Sequence, residues 1–116
     1  MPKEFVISPL ETKGRLSKLR ILGRLDAESA LELRTYCERL RDQGYRNLVL
    51  DMSDVTFVAS GGLGTLLALT EEFGEAGGCL YLAPVSDAVS SVVKLLNLDQ
   101  FLAIYSSYED VSMVVR

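Results

Sequence analysis

The chain has 116 residues, 48% of them apolar and 24% charged, which is typical of one globular domain with its own hydrophobic core. It contains no histidine, so a Ser-His-Asp triad is excluded and a zinc site would need cysteine and carboxylate ligands alone. The net charge of −4 argues against non-specific binding to nucleic acid, which requires a basic surface.

Two further features set expectations about location and cofactors. The start, Met1-Pro2-Lys3-Glu4, lacks the apolar stretch of a signal peptide, and no run approaches the roughly 20 residues of a membrane span. Cys37 and Cys79 lie inside apolar segments without a metal-ligand spacing, which predicts buried free thiols. We therefore expect a cytoplasmic, non-enzymatic domain over residues 1–116, with no cofactor, no metal and no insertion into a membrane.

The first half of the chain predicts two strands, a helix and a third strand. A short apolar run at Phe5–Ile7 should stop at Pro9, and partly alternating apolar residues up to Leu25 follow a turn around Lys13-Gly14. Asp26 can cap a helix that Gly44 ends, because apolar residues between them recur at spacings of three and four. The continuous apolar segment Arg46–Asp51 predicts a strand buried on both faces.

The second half continues the alternation of strands and helices. The predicted segments are a loop at Met52–Ala59, a helix at Gly62–Glu75, a strand at Cys79–Ala83, a helix capped by Ser86 or Asp87 and reaching Leu98, a strand at Phe101–Tyr105, and a terminal helix opened by Ser107. The order β-β-α-β-α-β-α-β-α predicts an α/β fold with a mostly parallel central sheet and about four helices.

The stretch Phe57–Gly64, between a buried strand and a helix, carries the most informative chemistry. Its glycines permit tight turning and close approach of another backbone. Ser60 falls where a helix start leaves backbone N–H groups unpaired, a position that serine caps and that attracts anions. The serine is therefore either only an N-cap or a phosphoryl acceptor, whose phosphate would add about −1.5 to −2 charge next to the helix N-terminus.

Other phosphate and metal motifs are absent from this region of the sequence, including the two aspartates before it. A P-loop ends in Gly-Lys-Ser/Thr, but Gly64 is followed by Thr65 without a lysine, and a dinucleotide fingerprint would require glycine where Leu67 stands. Asp51 and Asp54 are predicted to be solvated loop carboxylates, because two aspartates alone make a poor magnesium site.

The segment Asp51–Leu67 resembles the signature of bacterial anti-sigma factor antagonists, the stand-alone STAS-domain family. Gly23-Arg24-Leu25-Asp26 also resembles the Gly-Glu-Leu-Asp segment that precedes the first helix in that family, and the resemblance extends from about Phe5 to Val111. Two positions depart from the family pattern. Ala59 stands where the family usually has an acidic residue, and Gly61 stands where it has serine or threonine.

The resemblance implies a partner-switching role in the regulation of transcription. In the family, the unphosphorylated antagonist sequesters an anti-sigma factor, a serine kinase of the histidine-kinase-like ATPase class, and so frees a sigma factor. Phosphorylation of the motif serine, here Ser60, breaks that complex, and a serine phosphatase resets it. The antagonist itself catalyses nothing.

The expected partner-binding surface surrounds the serine, with Leu25, Val58 and Leu63 as candidate apolar neighbours on the docking face. The full predicted set is Leu25, Asp26, Val58, Ser60, Gly61, Gly62 and Leu63. Two alternatives stay open. The domain could be a scaffold subunit of a larger signalling complex in which Ser60 is only a cap, or a small phosphoryl-transfer or nucleotide-binding protein that uses the Ser60–Gly64 loop.

Overall fold

The computed structural model describes residues 4–13 and 16–115, and in these ranges nine elements follow one another in the predicted order. The turn predicted at Lys13-Gly14 lies partly outside the described residues. The strands are β1 (Phe5–Lys13), β2 (Leu16–Leu25), β3 (Asn47–Val58), β4 (Cys79–Val85) and β5 (Ala103–Ile104). The helices are α1 (Ala27–Asp42), α2 (Ser60–Glu75), α3 (Asp87–Leu95) and α4 (Tyr108–Ser112).

Within the described part of the chain, the strands form one sheet in the order β1-β2-β3-β4-β5, in which only the β1–β2 pair is antiparallel. The prediction of a mostly parallel α/β sheet is therefore confirmed. Helices α1, α2 and α3 pack on one face, where the main core includes Ile21, Leu50 and Phe73. Alternate strand residues point to the other face, where the short α4 covers a smaller cluster around Val49 and Val111.

Strand β1 continues past Pro9, so the prediction that the strand stops there is wrong. The register with β2 shifts between Pro9 and Glu11 and then resumes as far as Lys13. Proline is tolerated here because β1 is an edge strand, and edge positions and bulges do not require every N–H group to pair.

The predicted loop Met52–Ala59 is also wrong, because β3 extends to Val58. The register between β2 and β3 shifts twice along this part of the strand, between Arg20 and Leu22 and again between Gly23 and Arg24. As a result the buried residues of β3 fall at Met52, Val55 and Val58, every third position, and the period of two that identifies a strand is lost.

Helices α1, α2 and α3 are each terminated by a residue in the left-handed conformation, two positions after the last helical residue. Gly44 (φ +98°), predicted to end α1, does so, and Gly77 (φ +87°) ends α2. Helix α3 ends at Leu95 and not at Leu98, because Asn97 (φ +55°) takes the left-handed position and the Leu98 N–H donates to the Val93 carbonyl at 2.9 Å. The last strand, β5, covers only Ala103–Ile104 of the predicted Phe101–Tyr105.

The two cysteines differ in burial. Cys37 is fully buried in the main core, as predicted, and burial raises the pKa of its thiol to about 12. Cys79 is only half-buried, so the prediction of a buried thiol is not met at that position. Among the described residues, no helix is both long and apolar enough to cross a membrane.

Candidate functional site

Two helix N-termini lie side by side at the carboxyl ends of β2 and β3. The parallel register places Leu25 opposite Val58, and the chain leaves the sheet at the next residue of each strand. The Ala59 N–H donates to the Leu25 carbonyl oxygen at 2.9 Å, which ties the start of α2 to the start of α1. Ser60 and Asp26 therefore belong to one surface, although 33 positions separate them in the sequence.

Helix α1 begins with a capping box formed by Asp26 and Ser29. The Asp26 carboxylate accepts a hydrogen bond from the Ser29 N–H at 3.0 Å, and the Ser29 hydroxyl accepts one from the Asp26 N–H at 2.9 Å. The predicted cap is thus confirmed. Hydrogen bonds from the backbone and side chain of Ser29 stabilise the charged carboxylate and lower the pKa of Asp26.

Replacing Asp26 by alanine is expected to lower the free energy of unfolding at neutral pH, because α1 loses its cap. The pKa of Asp26 is lower in the folded chain than in the unfolded chain. Its contribution is therefore complete above the unfolded pKa and is lost as the pH falls through the folded pKa. Urea unfolding of wild type and Asp26→Ala over a descending pH series should show a shrinking difference. A difference independent of pH would contradict this assignment.

Ser60 is the first residue of α2, and it does not cap the helix. The N-cap is Ala59, which has no side-chain acceptor, and the Ser60 hydroxyl makes no hydrogen bond to the described residues. The interpretation of Ser60 as an N-cap is therefore wrong, and α2 begins two residues before the predicted Gly62. The Ser60 side chain is exposed, beside backbone N–H groups that favour negative charge.

Gly61 and Gly62 let α2 start close to α1. A Cβ at Gly62 would lie 2.6 Å from the Leu25 carbonyl oxygen and 2.9 Å from Leu25 Cγ, so only glycine fits without movement. A Cβ at Gly61 would lie 3.2 Å from the Cα of Ala27. Gly61 is exposed and Gly62 is buried, so the surface beside Ser60 is mainly backbone.

The predicted apolar neighbours Leu25, Val58 and Leu63 do not form a docking face. Their exposed fractions are 0%, 7% and 4%, and all three belong to the main core. They support the site from below, whereas Ser60 and Gly61 are exposed and Asp26 is half-buried. The burial follows from the register of β2 and β3, which turns both strand ends toward the helices.

Arg24 and Phe57 are surface residues of this region that sequence reasoning did not select. They lie opposite each other in the β2–β3 register, and the Arg24 Cζ lies 4.2 Å from the centroid of the Phe57 ring. Phe57 is 38% exposed, and Arg24 is exposed as well. The available signal was the alternation of strand residues, which places Arg24 on the face of β2 opposite the buried Leu25 and so predicts that it is exposed.

The aspartates of β3 are engaged in contacts within the chain. Asp54 forms a salt bridge with Arg20, and the Asp51 carboxylate accepts hydrogen bonds from the Ser53 N–H at 3.0 Å and the Ser53 hydroxyl at 2.6 Å. Both lie in a strand, so the prediction of loop carboxylates is corrected. In residues 4–13 and 16–115, no cluster of three metal-ligating side chains is present.

The site lies at the end of the parallel strands of an α/β fold, where two helix starts and Gly61 form a surface around an exposed serine. The family model described as the STAS domain matches residues 8–111, so the chain belongs to the STAS domain family. This confirms the resemblance found in the sequence.

Three relatives illustrate the similarity. A Thermotoga maritima protein named "Putative anti-sigma factor antagonist" is 29% identical over 75 residues, which are 65% of this chain and 66% of the relative. The crystal structure of an anti-sigma factor antagonist from Mycobacterium paratuberculosis superposes with a TM-score of 0.81 and 27% identity, over 96% of this chain and 95% of that one. The structure of the anti-sigma factor antagonist SpoIIAA in its unphosphorylated form superposes with a TM-score of 0.77 and 19% identity, over 94% of this chain and 96% of that one.

Proposed function

We propose that this chain is an anti-sigma factor antagonist that acts in the cytoplasm and is controlled by phosphorylation of Ser60. The unmodified chain binds and sequesters an anti-sigma factor that is a serine kinase of the histidine-kinase-like ATPase class, which frees a sigma factor for transcription. Transfer of phosphate to Ser60 ends that binding, and a serine phosphatase restores it. The observation that carries the proposal is the exposed Ser60 hydroxyl, which the fold itself does not use.

The geometry around Ser60 supports modification without a change of fold. The hydroxyl is exposed and makes no hydrogen bond to the described residues, so a kinase need not break a contact to reach it. The phosphate would stand at the first position of a 16-residue helix, where negative charge is stabilised by the helix dipole. The exposed Gly61 next to Ser60 has no side chain that would keep a partner away from the backbone.

The names of the relatives support the antagonist role. The proteins from Thermotoga maritima and Mycobacterium paratuberculosis are both named as anti-sigma factor antagonists, and a solved structure of SpoIIAA in its phosphorylated form has the same fold as this chain, with a TM-score of 0.71. As part of the proposal, the present chain has the same antagonist role.

The two departures from the family pattern have physical consequences at this site. Ala59 caps α2 without a side-chain acceptor, so no carboxylate at that position competes with or repels a phosphate on Ser60. A Cβ at Gly61 would lie 3.2 Å from the Cα of Ala27, so a serine or threonine there would require a shift of a few tenths of an ångström between the starts of α1 and α2. The departures therefore alter the rim of the site and leave its serine accessible.

Incubation with the cognate kinase and ATP is expected to add one phosphoryl group to the chain, at Ser60. Mass spectrometry of wild type, Ser60→Ala and Ser53→Ala provides the measurement, since Ser53 is another exposed serine. Wild type and Ser53→Ala should be modified and Ser60→Ala should not. Equal modification of all three would refute the site, and no modification despite stable binding would favour a scaffold without a switch.

A further inference from the structure

The backbone of Arg24 is fixed at the rim of the Ser60 site. The Arg24 N–H donates to the Glu4 carbonyl oxygen at 3.0 Å, and the Arg24 carbonyl oxygen accepts a hydrogen bond from Ser29 Oγ at 2.6 Å. Arg24 lies opposite Phe57 in the register, and Phe57 precedes Ser60 by three residues. The backbone of Arg24 is therefore held in place next to the end of β3, the strand that leads into Ser60.

The Arg24 side chain is also held in place by Phe57. The guanidinium stacks on the ring, with Cζ 4.2 Å from the ring centroid. Stacking uses the planar face of the guanidinium and leaves its N–H donors free at the edge, where they can bind a carboxylate in a bidentate manner. Arginine and aromatic residues, phenylalanine included, are enriched in protein interfaces relative to the rest of the surface.

The charge of Arg24 lacks an ion-pair partner within the described part of the chain. Arg20, Arg34 and Arg41 each have a carboxylate oxygen within 4.0 Å, but no ion pair of Arg24 is found in residues 4–13 and 16–115. The Asp26 carboxylate is bound to Ser29 as the cap of α1, and it interacts with Arg24 through its charge without forming an ion pair within 4.0 Å. A carboxylate for Arg24 is thus most readily supplied from outside the chain.

The surroundings of Arg24 would fix where an acidic group can dock. A cavity of about 230 Å³ is lined by Arg24 together with the acidic residues Glu4, Asp26, Glu28 and Glu32. An approaching carboxylate is repelled by these acidic side chains and attracted by the guanidinium, so it can pair with Arg24 only where it stays clear of them. Such alternation of charge sets the register of two docking surfaces more than it sets their affinity.

We propose that Arg24, stacked on Phe57, is a specificity-determining contact that pairs with a carboxylate side chain of the anti-sigma factor. This inference rests on the proposed function, because the same partner docks at Ser60. In the Gly-Glu-Leu-Asp pattern to which this segment corresponds, the position of Arg24 is a glutamate. The reversed charge disfavours partners adapted to that glutamate, since like charges across an interface repel.

The test compares binding of wild type, Arg24→Glu, Arg24→Gln and Arg39→Glu to the purified anti-sigma factor that wild type retains. Arg39 is an exposed residue in the last turn of α1, so Arg39→Glu makes the same charge change far from Ser60. We expect Kd to rise about 30-fold for Arg24→Glu and about fivefold for Arg24→Gln, with Arg39→Glu within about twofold of wild type. Arg24→Gln should also weaken the salt dependence of binding.

Each outcome decides between the two proposals. A Kd for Arg24→Glu that is within twofold of wild type, or lower, overturns the role of Arg24 and leaves the antagonist function standing. Absence of binding by wild type to any anti-sigma factor of its organism overturns both. Circular dichroism of each variant verifies that it is folded, so that a loss of affinity reports on the contact.

Discussion

The Ser60→Asp chain is expected to bind the anti-sigma factor about a hundredfold more weakly than Ser60→Ala, a difference of about 3 kcal/mol. Ser60 is exposed at the start of α2, and its neighbour Gly61 has no side chain that could hold a partner away. A carboxylate at position 60 would therefore be desolvated against the partner without a compensating charge. A phosphate, with about twice the charge, should act more strongly.

The comparison isolates charge because neither substitution should harm the fold. The Ser60 hydroxyl makes no hydrogen bond to the described residues, so alanine removes nothing that the helix uses, and aspartate is favourable in the first turn. Isothermal titration calorimetry gives both affinities, and thermal unfolding verifies that both variants are as stable as wild type. Indistinguishable affinities would count against a charge-based switch.

Gly62→Ala is expected to reduce the free energy of unfolding by about 3 kcal/mol, at the upper end of the cost of overpacking. The added Cβ would meet the Leu25 carbonyl oxygen at 2.6 Å, and this oxygen is fixed because it accepts the Ala59 N–H. The strain can be relieved only by moving the starts of α1 and α2 apart. The substitution should thus also weaken partner binding at the surface they form.

Gly64 provides the matched control within the same helix. A Cβ at Gly64 meets no heavy atom within 4 Å, so Gly64→Ala should raise the free energy of unfolding by about 0.5–1 kcal/mol, the usual gain in helix propensity. Urea denaturation of both variants measures the difference. Equal effects would show that close packing at Gly62 is not what the position requires.

Local chemistry made several elements predictable from the sequence. The caps at Asp26, Ser86 and Ser107 each accept a hydrogen bond from a backbone N–H three residues later, as their residue types suggest. The end of α1 at Gly44 follows from the freedom of glycine at positive φ. These features depend on a few adjacent residues, so they can be predicted from the sequence alone.

The errors come from properties that depend on the neighbouring strand. The extension of β3 through Val55 and Val58 depends on register shifts relative to β2, which interrupt the alternation of buried residues. The same register decides that Leu25 is buried and Arg24 is exposed. Ser60 was selected correctly as an accessible residue at a helix start, but the apolar residues expected beside it lie in the core.

The close contact of Gly62 with Leu25 means that buried packing fixes the shape of the backbone at this surface. Under the proposed function, the centre of the docking surface rests on buried residues, so two STAS proteins with this motif would present nearly the same main-chain shape to a kinase. Under the same proposal, selectivity between such paralogues would depend on the edge of the surface, where Arg24 and Phe57 are exposed and lie outside the main core. Several STAS proteins of the same fold would then bind different anti-sigma factors within one cell.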